Sequence, residues 1–151
     1  MPSNRNVVLA TEEIYHIFNR GVERREIFTD KWEYRRALDT MSYYRFLEPP
    51  IRYSKYITLD KNRRIQLLNA LLTSQLQVDI LAFCLMPNHF HLLLKQTADV
   101  GISRFVSKFC DSYSKYFNIK HDRVGPLFQG PFKAVRVESE EQLIHLSRYI
   151  H

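Results

Sequence analysis

The amino-acid sequence predicts a single α+β domain, residues 1–151, with strands and helices in the order strand, helix, two strands, helix, strand, and a further helix at the end. Three observations carry this. The apolar run from Val78 to Met86 breaks at Pro87-Asn88 and resumes as an alternating segment from His89 to Lys95. Ile102, Phe105, Val106, Phe109, Tyr113, Tyr116 and Phe117 recur at helical spacing. Ile14-Tyr15-His16-Ile17-Phe18 is β-branched and aromatic and stops at Asn19-Arg20-Gly21.

Each element follows in turn. The first strand covers Ile14–Phe18. Thr29 or Asp30 caps a helix that runs through Trp32, Tyr34, Ala37, Leu38, Met41 and Phe46 and ends before Pro49-Pro50. A polar, basic stretch from Ile51 to Arg64 leads into a short helix carrying Leu67, Leu68, Leu71 and Leu72. Val78–Met86 reads as a buried strand because its apolar character is nearly continuous. Pro87-Asn88 turns the chain into its hairpin partner, His89–Lys95. Residues 102–120 form the most amphipathic helix, and a loop at 122–131 leads to a strand at Phe132–Val137. Glu138-Ser139-Glu140-Glu141 places negative charge where the positive end of a helix dipole begins, and the last helix runs through Leu143, Leu146 and Ile150. Set aside the short extra helix and the final one, and the order is that of a ferredoxin-like βαββαβ domain, an antiparallel sheet with helices on one face.

Composition narrows the class. Hydrophobic residues make up 45% and charged residues 25%, the balance of an ordinary globular domain. No apolar stretch approaches the ~20 residues that span a bilayer, and Met1-Pro-Ser-Asn-Arg-Asn lacks a signal-peptide core, so a cytoplasmic protein with no membrane partner is expected. Cys84 and Cys110 sit in apolar segments and read as buried thiols rather than a disulfide framework. Lys and Arg number 22 against 16 Asp and Glu, a net charge of +6 that suits a polyanionic partner.

The candidate chemistry centres on His89-Phe90-His91. Residues two apart on a strand share a face, so both imidazoles leave one side of the sheet while Phe90, Leu92 and Leu94 fill the other. Two neutral imidazoles side by side make half of a divalent-metal site, although H-x-H alone is a weak pattern. Arg20, Lys115, Lys120, Arg123, Lys133 and Arg136 are candidate phosphate contacts, interleaved with Phe128 and Phe132 on which single-stranded bases can stack. His16, His121, His145 and His151 read as non-ligands, and Arg24-Arg25 and Arg63-Arg64 as exposed charge. Tyr113 and Tyr116 lie on the amphipathic helix and read as packing residues.

The string Met86-Pro-Asn-His-Phe-His-Leu-Leu-Leu94 is far more specific than its two histidines. It resembles the HUH signature of the single-tyrosine transposases, above all the REP-associated branch. The likeness extends over Tyr15-His-Ile-Phe-Asn-Arg-Gly21, Ile27-Phe28, Tyr113, Tyr116-Phe-Asn118, Gly125-Pro-Leu-Phe-Gln-Gly-Pro-Phe-Lys-Ala134 and Leu143-Ile-His-Leu-Ser-Arg-Tyr-Ile-His151. The resemblance implies that His89 and His91 are metal ligands, that Mg²⁺ or Mn²⁺ is the cofactor, and that Tyr149, on a catalytic C-terminal helix, is the nucleophile. It implies metal-dependent nicking and joining of single-stranded or hairpin DNA through a covalent 5′-phosphotyrosine, by an enzyme working as a homodimer. The chain departs from the family in two places. The family's third ligand, an asparagine four residues after the tyrosine, would fall beyond His151, so the sequence reads as truncated and its cleavage as weak or absent. Pro131 stands where many relatives carry Arg. A non-catalytic nucleic-acid-binding module that keeps the fold is the alternative reading.

Overall fold

The computed structural model describes residues 8–150, the side chains of 149 and 150 excepted. Four strands, β1 (Ile14–Arg20), β2 (Val78–Met86), β3 (His89–Gln96) and β4 (Lys133–Arg136), form one sheet in the order β2-β3-β1-β4. Every pairing is antiparallel. With the helices α1 (Lys31–Tyr44) and α4 (Gly101–Lys120), this is the expected ferredoxin-like arrangement. A four-residue helix, α2 (Tyr53–Tyr56), and α3 (Lys61–Leu72) fill the stretch between α1 and β2, and α5 (Glu140–Ile150) closes the chain.

Period-two alternation divides the sheet into two unlike faces. Tyr15, Ile17, Phe90, Leu92 and Leu94 are buried against Ala37 and Met41 of α1 and Ile102, Phe105, Phe109, Tyr113 and Phe117 of α4. The opposite face is only partly roofed. There Leu143 and Leu146 of α5 pack against Ala82, Leu93 and Val137. The strand at Val78–Met86, expected to be buried, is instead the sheet's edge, with Leu81, Phe83 and Met86 each about two-fifths exposed. Its apolar run reflects two part-covered faces, and a bulge between Ile80 and Ala82 shifts its register against β3.

The first helix starts where its cap residue dictates. Asp30 accepts from the Glu33 amide at 2.9 Å, and Glu33 reaches back to the Thr29 amide (2.7 Å) and hydroxyl (2.8 Å), a reciprocal arrangement of the capping-box kind. Glu33 is fully buried, and Lys120 Nζ (2.6 Å) and His121 Nε2 (2.8 Å) also reach its carboxylate. The start of α1 is thereby tied to the end of α4. Burial opposes ionisation of Glu33, but the hydrogen bonds from Lys120, Thr29 and His121 outweigh it and hold the carboxyl below its ordinary value.

The Pro87-Asn88 turn is held from outside the hairpin. Gly21 N–H donates to the Asn88 carbonyl (2.9 Å), and the amides of Ile27 (2.7 Å) and Phe28 (3.1 Å) both donate to that of Pro87. Val22 N–H bonds the Leu127 carbonyl (2.8 Å), and Gln129 N–H bonds that of Arg20 (2.8 Å). Three segments distant in sequence, around residues 19–28, 86–91 and 125–133, are thus knitted together at one end of the sheet.

Two stability predictions follow from these ties. Glu33→Ala should destabilise the fold by roughly 3 kcal/mol in urea unfolding at neutral pH, because the donors of Thr29 and Lys120 lose a buried partner. Since the folded-state pKa is depressed, this stabilisation is fully present above the ordinary value of 4.5 and is lost as pH falls through the lower folded value. The gap between wild type and variant should therefore close in acid; a gap that persists unchanged would contradict the ion-pair account. At Gly21, a Cβ would stand 2.3 Å from the Arg25 carbonyl and 2.9 Å from Ile27 Cγ2. Gly21→Ala should cost about 1–3 kcal/mol in the same measurement. Wild-type stability would show that this turn yields.

Candidate functional site

The β1–β3 register sets Arg20 opposite His89 and Phe18 opposite His91, and β2 brings Met86 and Cys84 to the same two positions from the other side. Directly paired residues share a face, so the histidines emerge on the side away from α1 and α4. Their rings lie edge to face with centroids 5.1 Å apart. Both line a cleft of about 410 Å³ together with Phe18, Arg20, Arg24, Asn88, Gln129 and Lys133.

The histidines have the chemistry of cation ligands. Asn88 Oδ1 lies 2.7 Å from His89 Nδ1, so the amide oxygen accepts the Nδ1 proton and leaves the lone pair on Nε2. Burial, assisted by the neighbouring His16 and His89, pushes the His91 pKa down to about 4, and the ring is neutral at physiological pH. Among the described residues no group of three or more His, Cys, Asp or Glu side chains could hold a metal ion. The donor set fits half of a coordination shell, with the remaining positions open to water or phosphate oxygen.

The structure gathers some of the expected phosphate contacts and separates others. Arg20 and Lys133 reach the histidine cleft. Lys115 lines a different groove, with Arg36 and Tyr116 on the helical side. Lys120 is engaged by Asp30 and Glu33. Arg123 is turned onto Asn118 Oδ1 (2.7 Å) and the Pro126 carbonyl (3.0 Å). Arg136 pairs with Glu13 at 3.2 Å and, three residues from Lys133, falls on the other face of its strand. Of the two interleaved aromatics, Phe128 is buried and stacks edge-on against Phe90, so its ring is core.

Sequence reasoning missed Arg24 and Gln129 among the residues that line the cleft, and His16 beside His91. Arg24, read as exposed charge, is exposed, but it stands on the cleft rim. Glu23 and Arg24 hold left-handed backbone, φ 54° and 59°, a conformation that costs a non-glycine residue about 1 kcal/mol and needs support. Support comes from Arg24 N–H to the Gly21 carbonyl (3.1 Å) and from Gln129 Oε1, which accepts the Glu23 amide at 3.3 Å. Gln129 itself is the second omission. His16, set aside as a non-ligand, is the third: its Nε2 lies 2.9 Å from His91 Nδ1, with the ring centroids 5.1 Å apart. The signal was available in parity, because His16, Phe18 and Arg20 share one face of β1.

The nucleophile expected at Tyr149 falls in α5, but its side chain lies outside the described residues, as does His151. Every other tyrosine of the chain belongs to, or packs on, the core between the sheet and α1, α2 and α4. Tyr113 is wholly buried there and donates to the Ile27 carbonyl at 2.5 Å, with its pKa driven far up by burial. Tyr116 packs beside it, 4.5 Å from the Arg36 guanidinium. The sheet separates both from the histidine cleft. Among the described residues no helix is long and apolar enough to cross a membrane.

Comparison with known proteins places these features in context. No curated protein matches the chain. Among solved structures, a REP-associated tyrosine transposase bound to a REP hairpin aligns with 99% of this chain and 70% of its own, with a TM-score of 0.58 at 15% identity. A crystal structure assigned as a transposase of Deinococcus radiodurans R1 aligns with 99% of this chain and 95% of its own, with a TM-score of 0.50 at 17% identity. At such identities these likenesses speak for the fold. The sequence match is more telling: residues 39–151, which include both histidines and the whole of α5, fit the family described as "Transposase IS200 like". The chain belongs to the IS200-like transposase family.

Proposed function

We propose that this transposase-family chain nicks and rejoins single-stranded DNA in a metal-dependent reaction at the histidine cleft, with Tyr149 as the nucleophile. The observation that carries the reading is the division of the sheet. Two histidines and the side chains of Arg20, Arg24 and Lys133 share one face, the face on which α5 packs, while every tyrosine other than Tyr149 serves the core on the opposite side.

His89 and His91 would hold the cation, which when bound supplies positive charge to a phosphoryl oxygen. Arg20, Arg24 and Lys133 surround the same cleft and offer cationic contacts for the strand on either side of the scissile phosphate. In the reaction, the Tyr149 oxygen forms a bond to phosphorus as the bond to the 3′ oxygen breaks. The phenol releases a proton, the departing oxygen takes one up, and the products are a 5′-phosphotyrosine and a free 3′ hydroxyl. One phosphodiester replaces another, so the energy of the original bond is retained for rejoining. Attack by a second 3′ hydroxyl reverses the step and joins strands. The REP hairpin bound to the structural neighbour extends the proposal to a hairpin-bearing substrate, and the resemblance to the single-tyrosine transposases extends it to a homodimer.

Two measurements test it. With Mn²⁺ and a single-stranded substrate, Tyr149→Phe should abolish the covalent protein–DNA adduct while leaving DNA affinity within about threefold, since one hydroxyl is removed and the ring is kept. His89→Ala should abolish the adduct as well. Adduct formed by Tyr149→Phe would refute the nucleophile. DNA binding without any adduct from a wild-type protein that carries the family's third ligand would favour the non-catalytic binding module. In a salt titration, affinity for single-stranded or hairpin DNA should exceed that for plain duplex and fall steadily as salt rises; salt-independent binding would exclude a phosphate-tracking cleft.

A further inference from the structure

An imidazole that binds a cation through one nitrogen must carry its proton on the other, and a neighbouring acceptor decides which nitrogen that is. For His89 the acceptor is Asn88 Oδ1, against Nδ1. For His91 the group in the equivalent place is another imidazole, His16, whose Nε2 stands 2.9 Å from His91 Nδ1. The ring centroids are 5.1 Å apart with planes 27° apart, so the two nitrogens meet nearly edge to edge. Two ring nitrogens at this distance share one proton, and either ring can own it.

We propose that His16 is a positioning residue for His91: its Nε2 accepts the His91 Nδ1 proton, fixes the ring, and dictates Nε2 as the atom His91 presents to a cation. The proposal rests on the reading of His89 and His91 as cation ligands. His16 in turn carries its own proton on Nδ1. Its place is set by the sheet. On β1 it pairs with Leu93, one same-face step along β3 from His91, and on its other side with Val135 of β4. Phe18 completes the packing, with its centroid 4.9 Å from His16 and 5.8 Å from His91. Both candidate ligands would then be oriented alike, each by an acceptor at Nδ1, although one acceptor is an adjacent amide and the other comes from a strand 75 residues away in sequence.

The full-length chain is tested as wild type, His16→Phe, which keeps a ring and removes the acceptor, and His16→Gln, which can return a carbonyl oxygen near the Nε2 position. Two readouts are taken. Long-range ¹H–¹⁵N correlation of the metal-free protein reports which His91 nitrogen is protonated, and calorimetry reports Mn²⁺ affinity; thermal melting of the metal-free forms monitors folding. The expected wild type has the His91 proton on Nδ1. His16→Phe should lose that preference and weaken Mn²⁺ binding roughly 10- to 100-fold. His16→Gln should restore most of both. A wild-type His91 protonated on Nε2 would overturn the proposal. So would Mn²⁺ affinity in a folded His16→Phe equal to wild type while His89→Ala abolishes it, which leaves the cation site standing without its positioning residue. Wild-type protein that binds no Mn²⁺ in a His89-dependent way would instead defeat the cation reading itself, and the positioning role with it. Should His16→Phe fail to fold, His16→Gln decides alone: an affinity as low as that of His89→Ala counts against the hydrogen bond, and near-wild-type affinity with the His91 proton on Nδ1 supports it.

Discussion

The pairing of β1 with β3 is the constraint on which the rest depends. In this register Arg20 faces His89, Phe18 faces His91, and the alternate residues Phe90, Leu92 and Leu94 enter the core. A slip of one residue would drive both imidazoles beneath α4 and lift three large apolar side chains toward solvent, at a cost of several kcal/mol. The core that stabilises the fold and the cleft proposed to carry its chemistry are therefore opposite sides of the same strands. Stability and site geometry are specified together.

The rim of the cleft is built from backbone rather than from side-chain packing. Gly21, Ile27 and Phe28 hold the Pro87-Asn88 turn, while Val22 and Gln129 lace the neighbouring loops to one another. This network brings residues far apart in sequence to one cleft. Asn88 lies in the turn and orients His89; Arg20 and Arg24 flank the Gly21 clamp; Gln129 both closes the loop and supports the left-handed backbone at Glu23. A rigid scaffold of this kind is what holding a scissile phosphate against a fixed cation requires.

Most of the fold was legible because periodicity is a local property. The helices from Asp30 and at 102–120, and the hairpin turning at Pro87-Asn88, all lie where spacing put them, and Asp30 is the cap. The exceptions arise where neighbours decide. The Val78–Met86 run gives no hint that it forms an edge, because α5 and the helical layer each cover part of it. Residues 53–56 form a short helix whose first amide is capped by the Tyr44 hydroxyl, a partner no local pattern reveals. In the site, His89 and His91 were legible from parity and from the string around them. Parity put His16 on one face of β1 with Phe18 and Arg20, but only the pairing of β1 with β3 brings that face to His91. The cations divide in the same way: Arg20 and Lys133 enter the cleft by cross-strand register, whereas Lys120 is captured by Asp30 and Glu33 from α1 and its cap.

The central claim is that the cation and the strand to be cut meet on the histidine face of the sheet. Paramagnetic broadening by Mn²⁺, read residue by residue in the ¹⁵N-labelled protein, tests it most directly. The account predicts selective loss of signal at His89, His91, Asn88 and Arg20, with the helical-side resonances of Lys115 and Tyr116 preserved. Broadening centred on the acidic residues of α1 or α5, with the β3 signals intact, would contradict it.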